Sequence, residues 1–177
     1  MMEIGNFCKD GPGKNQRCFE EERSHFGLWC IMSSPLVLGF NMSNPNQMGR
    51  VWPIITNKEA IAVDHAWAGM PGTLYKTFRN KTVELWAKAL PEGKVAILVL
   101  NTVVVAAKTT VTLSLADDVP GSSQAVTMRD VWNNKDVPIA NGEVAVTLDT
   151  HDSYFAVLGN ITDEHWWSRS SGGGGVN

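Results

Sequence analysis

From about Met70 onward the chain repeats one pattern, short runs in which every second residue is apolar. In Thr109–Leu115, Val111, Leu113 and Leu115 alternate with Thr110, Thr112 and Ser114. Successive side chains on a strand point to opposite faces, so this period makes one face apolar and the other wet. Comparable runs lie at Thr82–Leu90, Lys94–Asn101, Ala125–Trp132, Glu143–Asp149 and Ser153–Leu158. Turn sequences separate them: Pro91-Glu92-Gly93, and Asn141-Gly142, a pair that favours tight hairpins. Short strands at this spacing bury their apolar faces against one another, which predicts an antiparallel sandwich or barrel.

The residues before about 70 read differently. Glu20-Glu21-Glu22 opens a helix with acids where the helix dipole favours them, and Phe26, Trp29, Cys30 and Ser33 follow at helical spacing. Pro35 ends it, because the residue before a proline is pushed out of the helical region. Leu36-Val37-Leu38-Gly39-Phe40 has the length and continuity of a strand buried on both faces. Thr56-Asn57-Lys58-Glu59 is a capping box that starts a second helix through Ala60, Ile61 and Val63. The expected fold is therefore α+β. Residues 1–69 form a helix–strand–helix part, 70–160 an all-β antiparallel sandwich, and 161–177 a Ser/Gly-rich disordered tail.

Composition narrows the function classes. Hydrophobic residues make up 44% of 177, enough for a real core. Lys plus Arg is 15 against 18 Asp plus Glu, a balance that argues against a nucleic-acid partner. No uncharged apolar run approaches the ~18 residues of a membrane span, so no membrane partner is expected. The start, MMEIGNFCKDGPGK, lacks the basic and apolar regions of a signal peptide. A complete (β/α)₈ barrel needs about 200 residues or more, beyond this length.

The reactive side chains form no self-contained constellation. Cys8 and Cys18 bracket a Gly/Pro-rich loop that a disulfide can close in an oxidising compartment, while Cys30 lies on the apolar helix face. The cysteine spacing fits no zinc pattern, so neither a metal nor a cofactor is expected. His25, His65, His151 and His165 are scattered, and no G-x-S-x-G elbow or phosphate-binding glycine loop occurs. Asn41, Asn80 and Asn160 each begin an N-x-[S/T] sequon and are candidate glycosylation sites. Trp86 and Trp132 lie within alternating runs and read as core, whereas Trp166-Trp167 lies beyond the last run.

Several segments, taken in order, resemble the α-galactosidase family of glycoside hydrolases. They are Met2-Glu3-Ile4-Gly5-Asn6, EEERSHFGLWCIMSSPLVLGF, ITNKEAIAV, VELWAKALPEGKVAILVLN and MRDVWNNKD. The resemblance runs from Met1 to about Leu158. It implies a (β/α)₈ barrel followed by a Greek-key antiparallel sandwich. Glu20–Ser34 would be the seventh barrel helix, Leu36–Phe40 the eighth strand and Thr56–Val63 the eighth helix. Without the rest of such a barrel Leu36–Phe40 would lack its flanking strands, so the resemblance implies an exposed amino-terminal part that proteolysis trims to a core beginning near Met70.

The resemblance also implies retaining hydrolysis of terminal α-linked galactose, in which one Asp attacks the anomeric carbon and a second acts as acid and base. Both would lie upstream of Met1, so no residue of this chain is assigned a catalytic role and the isolated chain is expected to be inactive. The positions carried over are Met1, Met2, Phe40 and Asn41, at the rim of the sugar pocket. Asn41 stands where family members often have Asp, and Asp64-His65-Ala66 where they often read Asn-Gln-Asp. The implied parent is secreted, lysosomal or vacuolar, acts on an α-galactoside, needs no cofactor and is a candidate homodimer. The alternative is a non-catalytic sandwich module that binds carbohydrate or supports another domain.

Overall fold

The computed structural model describes residues 2–7, 18–104, 108–121 and 127–159. Three helices come first, α1 (Cys18–Ile31), α2 (Pro45–Ile55) and α3 (Lys58–His65). Then follow β1 (Thr73–Phe78), β2 (Val83–Leu90), β3 (Lys94–Asn101), β4 (Thr109–Ser114), the single turn α4 (Leu115–Asp118), β5 (Thr127–Asp130), β6 (Lys135–Val137), β7 (Glu143–Leu148) and β8 (Ser153–Gly159). A six-stranded sheet has the order β1-β2-β3-β8-β5-β6, and β4 pairs with β7 in a second sheet. Every strand pair is antiparallel.

The period-two pattern fills the space between the sheets. Val83, Leu85 and Ala87 of β2, Val95, Ile97 and Val99 of β3, and Ala156 and Leu158 of β8 meet Val111 and Leu113 of β4 and Val144, Val146 and Leu148 of β7. Register keeps these positions on one face, with Leu85 opposite Val99, Ile97 opposite Ala156 and Val111 opposite Val146. At Asn141 (φ 53°) and Gly142 (φ 73°) both central turn residues take positive φ, as a two-residue hairpin turn requires, and Glu143 N–H donates to the Ala140 carbonyl at 2.9 Å.

The other face of the large sheet is equally dry. Ala96 and Leu98 of β3, Phe155 of β8 and Val131 pack against Phe26, Cys30 and Ile31 of α1, Val51 and Ile54 of α2, Ala60 and Val63 of α3, and Met2 and Ile4. The molecule is thus three layers: helices, six strands, two strands. This corrects the expectation of an exposed amino-terminal part, because α1 to α3 share a core with the sheet.

A buried cation locks the layers. Lys88 of β2 is fully buried, and its Nζ donates to the Val63 carbonyl and, at 3.1 Å, to that of Asp64. These are among the carbonyls that the end of α3 leaves without intrahelical partners, where positive charge is favourable. Burial lowers the Lys88 pKa, and nearby Asp64 opposes that shift.

Several local expectations are also corrected. Leu36–Phe40 is an extended segment with one parallel bridge, Leu38 to Met2, and Val37 is 54% exposed. With one neighbour along one residue pair, it has no sheet to be buried in. The cap of α3 is Asn57, whose Oδ1 accepts from Glu59 N at 3.0 Å and Ala60 N at 3.1 Å. Thr56 instead closes α2, its hydroxyl donating to the Trp52 carbonyl at 2.6 Å. Helix α2, capped by Asn44 with Pro45 at its first position, and strands β1 and β6 were not anticipated.

Two outcomes follow for stability. Limited proteolysis should protect residues 18–66 together with the sandwich, and a stable fragment beginning near residue 70 would contradict the shared core. Gly72 sits where an added Cβ would lie 2.6 Å from the Ile31 carbonyl oxygen and 2.9 Å from Lys88 Cβ. Gly72→Ala should therefore cost about 1–3 kcal/mol in urea denaturation, since neither neighbour can swing away.

Candidate functional site

The residues expected at a sugar-facing rim fall on two adjoining segments. Met2 N–H donates to the Val37 carbonyl at 2.8 Å, and Asn6 Nδ2 donates to that of Gly39 at 3.0 Å. Gly5, at φ +87°, lets the chain turn directly against Phe40, since a Cβ there would stand 2.7 Å from the Phe40 ring. Phe40 is half-buried and Asn41 exposed. The Asn41 side chain accepts from Ser43 N at 3.0 Å, shaping the turn into α2. Met2 is fully buried beneath this end, in the helical core. Met1 lies outside the described residues.

An ion pair with a buried carboxylate ties the first of these segments to the helices. Arg50 of α2 binds Glu22 of α1 through two parallel bonds, Nε to Oε2 and Nη2 to Oε1, both at 3.0 Å. Glu22 is fully buried. The same Nη2, and Gln47 Nε2, each donate to the Gly5 carbonyl at 3.0 Å. Geometry of this forked kind gives direction as well as energy. Neither Arg50 nor Gln47 was anticipated, because both sit on the helix that the sequence reading missed; the Asn44-Pro45 start was the available signal.

His25 makes a second tie. Its Nε2 accepts from Glu3 N at 3.3 Å, and its ring lies 5.2 Å from Phe7 and 5.8 Å from Trp29. Burial pushes its pKa below the ordinary 6.5, and the Glu3 carboxylate partly opposes this.

The remaining candidates do not converge here. His65 lies 3.9 Å from the Asp64 carboxylate, and the His151 carbonyl accepts from Ser24 Oγ at 2.7 Å. The buried carboxylates are held by structural partners: Asp118 by Lys76 and Ser114 N, Asp130 by Asn133, and Asp152 by Arg23 and Ser153 N. Among the described residues no group of three or more His, Cys, Asp or Glu could hold a metal. Cys30 is a free buried thiol whose pKa burial raises, and Cys18 is disulfide-bonded. Cys8, His165, Asn160 and Trp166-Trp167 lie outside the described residues. Asn41 and Asn80 are both exposed, Asn80 in the β1–β2 turn.

Comparison with known proteins places this architecture. Residues 80–158, from just before β2 to the penultimate residue of β8, match the family described as "Alpha galactosidase C-terminal beta sandwich domain". The chain is 29% identical over 158 residues to an α-galactosidase of Cyamopsis tetragonoloba, covering 89% of this chain and 35% of that protein. Residues 80–158 belong to the α-galactosidase C-terminal sandwich family. The chain matches α-galactosidase 3 of Arabidopsis thaliana at 29% over 169 residues, covering 93% of this chain and 36% of that one. Among solved structures, α-galactosidase I of Mortierella vinacea superposes with a TM-score of 0.69 at 25% identity, covering 91% of this chain and 39% of that one. The chain thus spans little more than a third of the length of these α-galactosidases, as their C-terminal portion.

Arg50→Ala would leave the Glu22 charge buried and the Gly5 carbonyl with one donor fewer. Because Arg50 itself is a quarter exposed, the cost should be about 2–4 kcal/mol by urea denaturation. For His25, the unfolded state binds the proton more tightly than the folded one. Stability should therefore fall as pH drops through the ordinary 6.5 and level off below the folded pKa. Urea midpoints measured across that window should lose this component in His25→Phe.

Proposed function

We propose that this chain is the carboxy-terminal part of a retaining hydrolase of terminal α-linked galactose. On this reading residues 1–69 are the end of a (β/α)₈ barrel, with Leu36–Phe40 its last strand, and residues 70–160 are the sandwich that braces it. The observation that carries the reading is the match to α-galactosidases along nearly nine-tenths of the chain, through the helical part as well as the sandwich. The parallel bridge between Met2 and Leu38 supports it. Parallel pairing belongs to α/β architectures, and among the described residues the strand pairs are otherwise antiparallel.

Phe40 and Asn41 then lie at the open end of the last strand, where barrel enzymes carry their sites. The clamp from Arg50 and Gln47 to Gly5 holds that end in place. The parent is a secreted, lysosomal or vacuolar glycoprotein, with a Cys8–Cys18 disulfide and glycans on Asn41 and Asn80.

Retention needs two carboxylates about 5–5.5 Å apart, one nucleophilic and one a proton donor. The buried carboxylates described above are engaged in holding arginine, lysine, asparagine and backbone groups, which supports assigning neither task to them. The purified 177-residue chain should release no nitrophenol from p-nitrophenyl α-galactoside beyond a heat-killed control, since loss of nucleophile and acid/base forfeits most of the rate enhancement. Turnover above that control would overturn the assignment of the carboxylates to residues outside this chain.

A further inference from the structure

We propose that the sandwich carries a binding site for one uncharged pyranose ring, in the cavity where α1 crosses the ends of β5, β7 and β8. Choosing a sugar among neutral polyols rests on the carbohydrate-active reading above; the cavity and its chemistry do not. The cavity measures about 230 Å³ and is lined by Arg23, Asp130, Trp132, Asn133, Asp152 and Tyr154, with the β7 segment closing it. Drug-sized ligands usually occupy about 300–1,000 Å³, so this space suits a single ring.

The polar groups are of mixed kind and already oriented. Asp130, 3% exposed, accepts one bond on each oxygen from Asn133, from the backbone N–H at 3.0 Å and from Nδ2 at 2.8 Å. A carboxylate has about four acceptor positions, so capacity remains. Asp152, 8% exposed, holds the Arg23 guanidinium through Nη2. Arg23 Nε is buried and has no acceptor. A buried N–H in that state is costly until something accepts from it.

Tyr154 stays a neutral phenol, able to donate and accept, because burial and then the Asp130 charge raise its pKa. Trp132 lines the cavity beneath the Arg23 guanidinium, whose Cζ lies 5.9 Å from the ring centroid; the indole is edge-on to Phe155 at 5.2 Å, with Nε1 donating to Ser153 Oγ at 3.3 Å.

This mixture selects the ligand class. An anion entering the cavity meets two carboxylates, and a cation meets the Arg23 charge. A hydroxyl both donates and accepts, so it satisfies a carboxylate on one side and a guanidinium or phenol on the other.

The test titrates the full chain with methyl α-D-galactopyranoside, methyl α-D-glucopyranoside, raffinose, galacturonate and glucosamine, following the indole N–H of Trp132 by NMR. Neutral monosaccharides should saturate with Kd on the order of 1–10 mM. The two charged sugars should bind about tenfold more weakly or worse. Raffinose distinguishes the source: comparable binding means the site takes the terminal ring of a longer glycan, and loss means free monosaccharide.

Asn133→Ala and Tyr154→Phe should each weaken binding about tenfold, while Phe40→Ala and Asn41→Ala leave it unchanged. The Trp132 signal reads occupancy even where a variant lowers stability. No saturable shift up to about 100 mM, or binding that survives the cavity variants and is lost in those at Phe40 and Asn41, would overturn the site. Nitrophenyl-galactoside turnover by the chain would overturn the reading of the family fragment and leave this result standing.

Discussion

Residues 95–100 at the centre of the larger sheet carry no polar side chain, and their neighbours on β8 are nearly as apolar. A strand of that composition has to be covered on both faces. One face is covered by β4 and β7, which can be short and cleanly alternating because their outer side remains in water. The other face is covered by α1, α2 and α3. Leu98 and Phe155 are fully buried there, and burying a side chain of that size contributes about 1.5–3 kcal/mol. Removing the helical layer would expose a contiguous apolar surface on the sandwich, the kind of patch that drives association. The helices therefore belong to the stability of the β-structure as much as to any site they build.

Burial alone does not set the angle and register of three helices on a sheet. Directional groups at the layer boundaries do that. Lys88 reaches from β2 to the carboxyl end of α3, and the Arg50–Glu22 pair joins α2 to α1 while holding the Gly5 carbonyl. Asn57 caps α3 and also donates from Nδ2 to the Val131 carbonyl at 2.8 Å, tying the helix start to the turn after β5. Each is a polar group placed where an apolar one would pack as well but specify less. Removing one partner leaves a buried charge or carbonyl unpaired, so the arrangement tolerates little alternative geometry.

The sandwich was largely legible in the sequence because its information is local. Period-two alternation and the Asn141-Gly142 turn sit within a few residues of the structure they specify. The Thr109 run stops at Ser114 because Asp118 accepts from Ser114 N and the chain turns into α4. β1 was hidden because Leu74 and Tyr75 are both exposed and the register slips between Leu74 and Lys76, so no alternation exists to detect. α2 contains Gly49 and Pro53, which weaken a helical pattern, although its Asn44-Pro45 start was readable. Leu36–Phe40 looked like a doubly buried strand because composition reports what a segment prefers, whereas burial depends on which partners stand beside it.

The sites show the same division more sharply. Gln47 and Arg50 of α2 meet the Gly5 carbonyl from a segment some forty residues away. The cavity between α1 and the sheet ends draws Arg23 together with residues near 130 and 154. No spacing in the sequence encodes such a meeting; it follows from the layer order, which brings the middle of α1 over the end of β8. Once that order is set, Arg23 must find an acceptor near the sheet, and Asp152, next to the start of β8, supplies one for Nη2 but leaves Nε unanswered. A fold selected only to cover its core would gain by replacing that arginine with an apolar side chain of similar volume. Its presence beside two buried carboxylates, a phenol and an indole is the physical ground for treating the cavity as a place built to receive something.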